Sequence, residues 1–304
     1  MEKRTFGKTG LEVSVLGFGG AEIGFTRSAE DTVGRLLNSA LDAGLNIIDT
    51  AECYSSGEEH PSSEELIGQA ISHRRGECLL FTKCGHASRF PGETDWSPSL
   101  LEKSIDRSLQ RLKTDYLDLI QLHSCDEATL RQGDVIEVLR KARAAGKTRF
   151  IGYSGDRDNA RYAVESGAFD TLQTSVNIAD QEAVELTLEK AQAAGMGVIA
   201  KRPVANVAWQ HNAETIKGQY GEPYWHRLQE LAYPFLATPD AVSIALRFTL
   251  SLPGVHTAIV GTQNPERWRQ NAALLEAGPL DPDVIRAIRD RWNEVARPDW
   301  VGQT

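Results

Sequence analysis

Eight short apolar runs recur along the chain, at about 14–18 (SVLGF), 46–49 (NIID), 78–82 (CLLFT), 116–122 (YLDLIQL), 148–152 (TRFIG), 171–175 (TLQTS), 197–200 (GVIA) and 256–260 (HTAIV). Runs of this length suit strands, whereas several of the stretches between them repeat apolar residues at three- and four-residue spacing, which puts one apolar stripe on a helix. In DTVGRLLNSALDAG, for example, Val33, Leu36, Leu37, Ala40 and Leu41 share a face and Gly44 supplies a stop. PSLLEKSIDRSLQRL, VIEVLRKARAAG and EAVELTLEKAQAAG repeat the design, the last two again ending at glycine. Strand–helix alternation at this spacing implies a parallel sheet, and eight repeats favour its closure into a (β/α)8 barrel of the TIM type. No GxGxxG follows the first strand, so the signature of an open doubly wound sheet is missing. Ahead of the barrel, TFGKTGLEVS is predicted to form a small hairpin, with Gly7-Lys8-Thr9-Gly10 as its turn, placed to cap one end. No linker interrupts the series, so residues 1–304 read as one barrel domain with long loops on the C-terminal face.

Composition narrows the setting. Hydrophobic residues are 41% and charged residues 25%, and no uninterrupted apolar stretch is long enough to cross a bilayer. The start, MEKRTFGKTG, lacks the apolar core of a secretory signal, and four cysteines without a CxxC pair do not read as a disulfide framework. A cytoplasmic, reducing setting is expected. The formal charge of −9 argues against nucleic acid or an anionic membrane as partner and leaves a small molecule as the expected one.

Four runs stop on residues that can hold, donate or steer a proton: NIID on Asp49, LLFTK on Lys83, LDLIQLH on His123 and RFIGYS on Ser154, with Tyr54 five residues beyond Asp49. In a barrel of parallel strands the C-terminal strand ends converge on one mouth, so residues distant in sequence meet there. A phenol is a poor acid near neutrality unless a cation favours its anion, and Lys83 is the predicted cation. Asp49 would hold that ammonium, and His123 would donate a hydrogen bond to a substrate carbonyl oxygen. Singly, each has a plainer reading, as cap, surface charge, lid packing or core histidine. Their joint placement favours one site.

The segments IIDTAECY, FTKCG and LIQLH, with the opening RTFGKTGLEVSVLGFGG, resemble the aldo-keto reductase family over nearly the whole chain. That resemblance implies a (β/α)8 barrel that binds a nicotinamide cofactor, NADPH with NADH as a possibility, without a Rossmann domain. It implies Asp49, Tyr54, Lys83 and His123 as a catalytic tetrad, with no metal and with Tyr54 as general acid in reduction of an aldehyde or ketone. It also admits an alternative, a cofactor-binding regulatory subunit of the same fold with little turnover.

By the same resemblance, Ser154 of GYSG and Gln173 of QTSVN would bind the nicotinamide amide, although Gly155 stands where relatives often carry Asn. After the seventh strand, Lys201, Arg202 and Pro203 occupy a segment where many relatives carry a stacking Tyr; Arg202 is a flat substitute for stacking or a pyrophosphate ligand. In AIVGTQNPERWRQNAALL, residues Gly261, Thr262, Gln263, Arg267, Gln270 and Asn271 fall where the family grips the adenosine 2′-phosphate, with Gly261 and Gln270 replacing a Lys and a Glu of some members. Pro265 and Glu266 suit a helix start there, a favourable place for a phosphate.

Two further expectations concern the mouth. The segment 203–227 carries Trp209, Tyr220, Tyr224 and Trp225, which with Trp96 and Trp300 would line an apolar substrate pocket or simply pack beneath the loops. Cys53, Cys84 and Cys125 lie within two residues of Tyr54, Lys83 and His123. Inert buried thiols, oxidant-sensitive thiols near a cationic lysine, and a zinc site are the three readings of that pattern.

Overall fold

The computed structural model describes every residue except Glu58, Arg89 and Thr304. Two short strands, β1 (Lys3–Thr5) and β2 (Glu12–Ser14), pair antiparallel as the predicted hairpin. Eight parallel strands follow: β3 (Leu16–Gly19), β4 (Ile47–Asp49), β5 (Leu79–Cys84), β6 (Leu117–His123), β7 (Thr148–Ser154), β8 (Thr171–Ser175), β9 (Gly197–Lys201) and β10 (Thr257–Val260). They pair in chain order and close through β10 against β3. All eight expected runs are strands. Their ends shift by a residue or two because parallel pairing continues past the apolar stretch, as in Lys83 opposite Gln121 and His123 opposite Ser154.

Helices bury the stripes that their spacing requires. In Glu30–Asp42 the buried residues are Val33, Leu36, Leu37, Ala40 and Leu41, and Gly44 follows with φ +86°. The helix Pro98–Leu112 starts where the Ser97 hydroxyl accepts from the amide of Leu100 at 3.2 Å, a cap worth about 1 kcal/mol. The stretch read as one helix from EAVELTLEKAQAAG is wound in two parts, a π-helical Val184–Leu188 and an α-helical Glu189–Ala193. Inside it the Thr187 hydroxyl bonds back to the Ala183 carbonyl, a contact that loosens α geometry.

Alternation along each strand sorts the barrel interior into two levels. Below lie Ile47, Phe81, Leu119 and Ile199, packed with Phe6, Leu11 and Val13 of the hairpin. Phe6 is fully buried and stacks on Phe81 with centroids 5.9 Å apart. Its burial is worth roughly 2–3 kcal/mol. Gly197 makes room for it, since a Cβ there would lie 2.7 Å from the Phe6 ring. Two residues further along the same strands the level is polar: Asp49, Lys83, Gln121 and Lys201. The apolar floor thus leaves the chemistry at the C-terminal mouth.

Candidate active site

Asp49, Lys83 and His123 end or nearly end three adjacent strands, β4, β5 and β6, so their convergence follows from strand order. Asp49 and Lys83 are each 1% exposed, and the Lys83 ammonium donates to Asp49 Oδ2 at 2.6 Å and to the Thr50 carbonyl at 2.7 Å. The same nitrogen lies 5.1 Å from the centroid of the Tyr54 ring. That ring meets His123 edge-on, with centroids 5.6 Å apart. All four predicted residues therefore meet at one place.

Electrostatics refine the expectation for the acid. Burial opposes the Lys83 charge, but the Asp49 carboxylate and its hydrogen bond more than offset this and raise the ammonium above the usual lysine range. The site keeps its cation. Tyr54, expected to be acidified, is instead raised: burial dominates, and the field of Lys83 opposes it only in part. The negative charge of Asp49 beside Lys83 adds to the rise and cancels part of that field. Burial, followed by the positive field of Lys83, His86, Lys201 and Arg202, holds His123 well below the usual histidine range. It is a neutral ring that donates one hydrogen.

The sequence reading missed several groups that build this geometry. Gln121 donates to Gln173 Oε1 at 2.9 Å and lies 3.4 Å from Asp49 Oδ1, and Gln173 Nε2 lies 3.3 Å from Asp49 Oδ2. Gln173 thus faces Asp49. The signal for Gln121 is its place in LDLIQLH, midway between Leu119 and His123 on the inward face. Beneath Tyr54, Arg111 reaches Glu52 at 2.9 Å and Glu64 at 3.6 Å, and Thr82 donates to Glu64 at 2.7 Å. The Glu52 amide also donates to the Lys83 carbonyl at 3.1 Å. This buried cluster holds the loop carrying Cys53 and Tyr54 against the strand ends, and no local spacing announces it.

The residues expected around a dinucleotide fall into two groups. Ser154 ends β7 in register with His123 and Gln173. Lys201 forms an ion pair with Asp156 at 2.7 Å. Arg202, at φ +57°, donates to the Ser175 hydroxyl, the Gln303 carbonyl and the Tyr220 hydroxyl, and lies 5.0 Å from the Tyr220 ring centroid. Pro203 is buried, its carbonyl accepting from Thr249. The second group follows β10. Gly261 approaches β3 closely, a Cβ there lying 3.1 Å from the Gly19 carbonyl. Gln263 donates to Glu22 at 3.2 Å, and Thr262 accepts from the Asn264 amide. Asn271 is buried on the helix Arg267–Leu275, whereas Gln270 and Arg267 are exposed. The Arg267 amide donates to the Asn264 carbonyl at 3.0 Å, whereas its guanidinium has no hydrogen-bond or ion-pair partner among the described residues. A free guanidinium at a helix start beside a close-packed glycine suits a phosphate, so the donor set fits a phosphorylated dinucleotide.

The aromatic expectation is corrected in part. The segment 203–227 is folded, with a 3-10 stretch Ala205–Gln210 and helices Ala213–Ile216 and Glu222–Leu231. Tyr224 is fully buried with its hydroxyl on Asp180, and Trp300 packs on Trp292 with centroids 5.6 Å apart. Both serve packing. Trp96 faces Gly85 and contacts His86, whose ring touches His123 with centroids 5.3 Å apart. The thiols are buried or half-buried. Burial pushes Cys53 up to about 11 against the opposing field of Lys83, pushes Cys125 up to about 12 with the Asp126 charge adding, and raises Cys84 too. Raised in this way, the thiols fit the inert reading better than the oxidant-sensitive one. Among the described residues no group of three or more His, Cys, Asp or Glu is arranged to hold a metal.

A strap not foreseen from the sequence crosses the mouth. The Val301 carbonyl accepts from Arg227, Gly302 bonds Glu182 and Arg157, and Gln303 bonds Asp180, Ser175 and Arg202. Gly302 is required, because a Cβ would lie 2.7 Å from that of Asp156. Burial, with the Asp156 charge adding, pushes Asp180 up to about 7. A buried acid with a raised pKa binds its proton more tightly folded than unfolded, so its contribution to stability falls as pH rises from about 4 to about 7. Asp180→Asn is expected to flatten that fall by about 1–3 kcal/mol, measured by urea denaturation at both ends of the window. An unchanged slope would place the proton elsewhere.

Comparison with known proteins agrees with this geometry. The model of the Aldo/keto reductase family matches residues 15–293. L-galactose dehydrogenase of Arabidopsis thaliana is 27% identical over 99% of this chain and 97% of its own. The holo form of the aldo-keto reductase AKR11C1 from Bacillus halodurans superposes with a TM-score of 0.80 at 25% identity, over 99% of each chain. An aldo-keto reductase from Klebsiella pneumoniae in complex with NADPH superposes with a TM-score of 0.70 at 24% identity, over 98% of this chain and 97% of that one. The chain belongs to the aldo-keto reductase family, as an oxidoreductase dependent on NAD(P)H. No helix among the described residues is long and apolar enough to cross a membrane.

Proposed function

We propose that the protein reduces an aldehyde or ketone to the alcohol at the mouth of its barrel, with Tyr54 as general acid. The observation that carries this reading is the meeting of Lys83, Asp49, Tyr54 and His123 at three adjacent strand ends. NADPH, when bound, supplies the hydride. The residues do the rest. His123, neutral, donates to the carbonyl oxygen, and Tyr54 gives its proton to that oxygen as charge builds there. The buried Lys83 ammonium steadies the phenolate left behind, and Asp49 keeps that ammonium charged and in place. The raised pKa of free Tyr54 keeps it protonated until that moment. Ser154 on the nicotinamide side and Arg267 with Thr262, Gln263 and Asn271 on the phosphate side would hold the dinucleotide.

The test is oxidation of NADPH with a panel of aldehydes and ketones. Turnover supports the reading; tight binding of NADPH without turnover on any member would favour the regulatory subunit of the same fold. Cofactor choice has its own test. Arg267→Ala is expected to raise KM for NADPH about tenfold, the loss of one charge-assisted contact at an exposed site, and to leave KM for NADH nearly unchanged. Equal effects on both cofactors would remove Arg267 from the 2′-phosphate.

A further inference from the structure

The loop that delivers Tyr54 carries a second group toward the same histidine. Cys53 Sγ lies 3.5 Å from His123 Nδ1, with Tyr54 packed edge-on against the same ring. A neutral imidazole has one N–H, and the partner of one nitrogen decides which nitrogen carries it. Only Nε2 of His123 is then left for the mouth, and it has no hydrogen-bond partner among the described residues. To donate to a carbonyl oxygen, Nε2 must hold the hydrogen, so Nδ1 must accept one from its neighbour.

We infer that Cys53 is a positioning residue: its S–H donates to Nδ1 of His123 and fixes the tautomer that presents Nε2–H to the substrate carbonyl. The thiol is suited to this. Burial pushes it up to about 11, so the hydrogen is present throughout the physiological range. His123 is held neutral by burial and surrounding positive charge, so Nδ1 has a lone pair to offer. The position of Cys53 is fixed by the loop, through the Glu52 amide on the Lys83 carbonyl and Glu52 on Arg111. The acid and the tautomer-setting thiol therefore arrive together on consecutive residues. This inference rests on the reading of His123 as the carbonyl-facing donor.

The test is nitrogen-15 NMR of the histidine-labelled full chain with NADP bound, with the His123 signal assigned by its loss in His123→Asn. The wild type is expected to show Nε2–H, Cys53→Ser to keep it, and Cys53→Ala to shift population toward Nδ1–H. Kinetically, Cys53→Ala is expected to lower kcat about fivefold, the worth of one neutral hydrogen bond, with KM for NADPH unchanged and with Cys53→Ser restoring most of the rate. A wild-type Nδ1–H tautomer, or an alanine variant unchanged in tautomer, overturns the inference. Because the tautomer is read in the unaltered protein without turnover, its failure is separable from a failure of carbonyl reduction.

Discussion

Tyr54→Phe is expected to lower kcat for carbonyl reduction by a factor of about 10²–10⁴, the range for loss of a positioned general acid. Affinity for NADPH should be unchanged, since the proposed chemistry gives that hydroxyl no contact with the cofactor. The ring would keep its edge contact with His123 and its place beside the Lys83 ammonium. The fold should therefore be undisturbed, which circular dichroism and the melting midpoint would verify. The wild-type pH profile offers a second check. With Tyr54 raised above the usual tyrosine range by burial, reduction should not lose its acid as pH climbs to about 9. Near-normal turnover in the phenylalanine variant would sink the assignment of the acid.

Asp49→Asn carries the second large effect, on stability and rate together. Asp49 and Lys83 are both 1% exposed, and removing one partner of a buried pair leaves the other charge uncompensated, at a cost of about 3–5 kcal/mol. The Thr50 carbonyl would remain as an acceptor for Lys83, placing the loss toward the lower end. Gln121 and Gln173, which also face Asp49, would lose a charged acceptor. Urea denaturation measures this, and kcat should fall with it because the ammonium would no longer be held charged. Adding Lys83→Met to Asp49→Asn should recover most of the stability, by removing the stranded charge, without recovering turnover. A double variant as unstable as the single one would mean that the pair is not the source of the loss.

The sequence was most legible where local rules coincide with the global fold. Each strand is an apolar run, and its last inward residue lies at the mouth, so Asp49, Lys83 and His123 could be placed before any coordinates. What escaped was set by contacts distant in sequence. Gln121 and Gln173 meet across the barrel, Arg111 comes from a helix to Glu52, and residues 301–303 return over the mouth. The tyrosine's electrostatics escaped for another reason. The presence of a lysine is visible in a sequence, whereas the depth of burial and the prior claim of Asp49 on that lysine are not.

The floor of the barrel has a kinetic consequence. Phe6 and the ring of Ile47, Phe81, Leu119 and Ile199 lie beneath the polar level, and a file of water needs polar partners along its length. That ring supplies none. On the proposed chemistry, each proton spent by Tyr54 is replenished through the same doorway by which alcohol and spent dinucleotide depart. Product egress and re-arming of the acid then share one route.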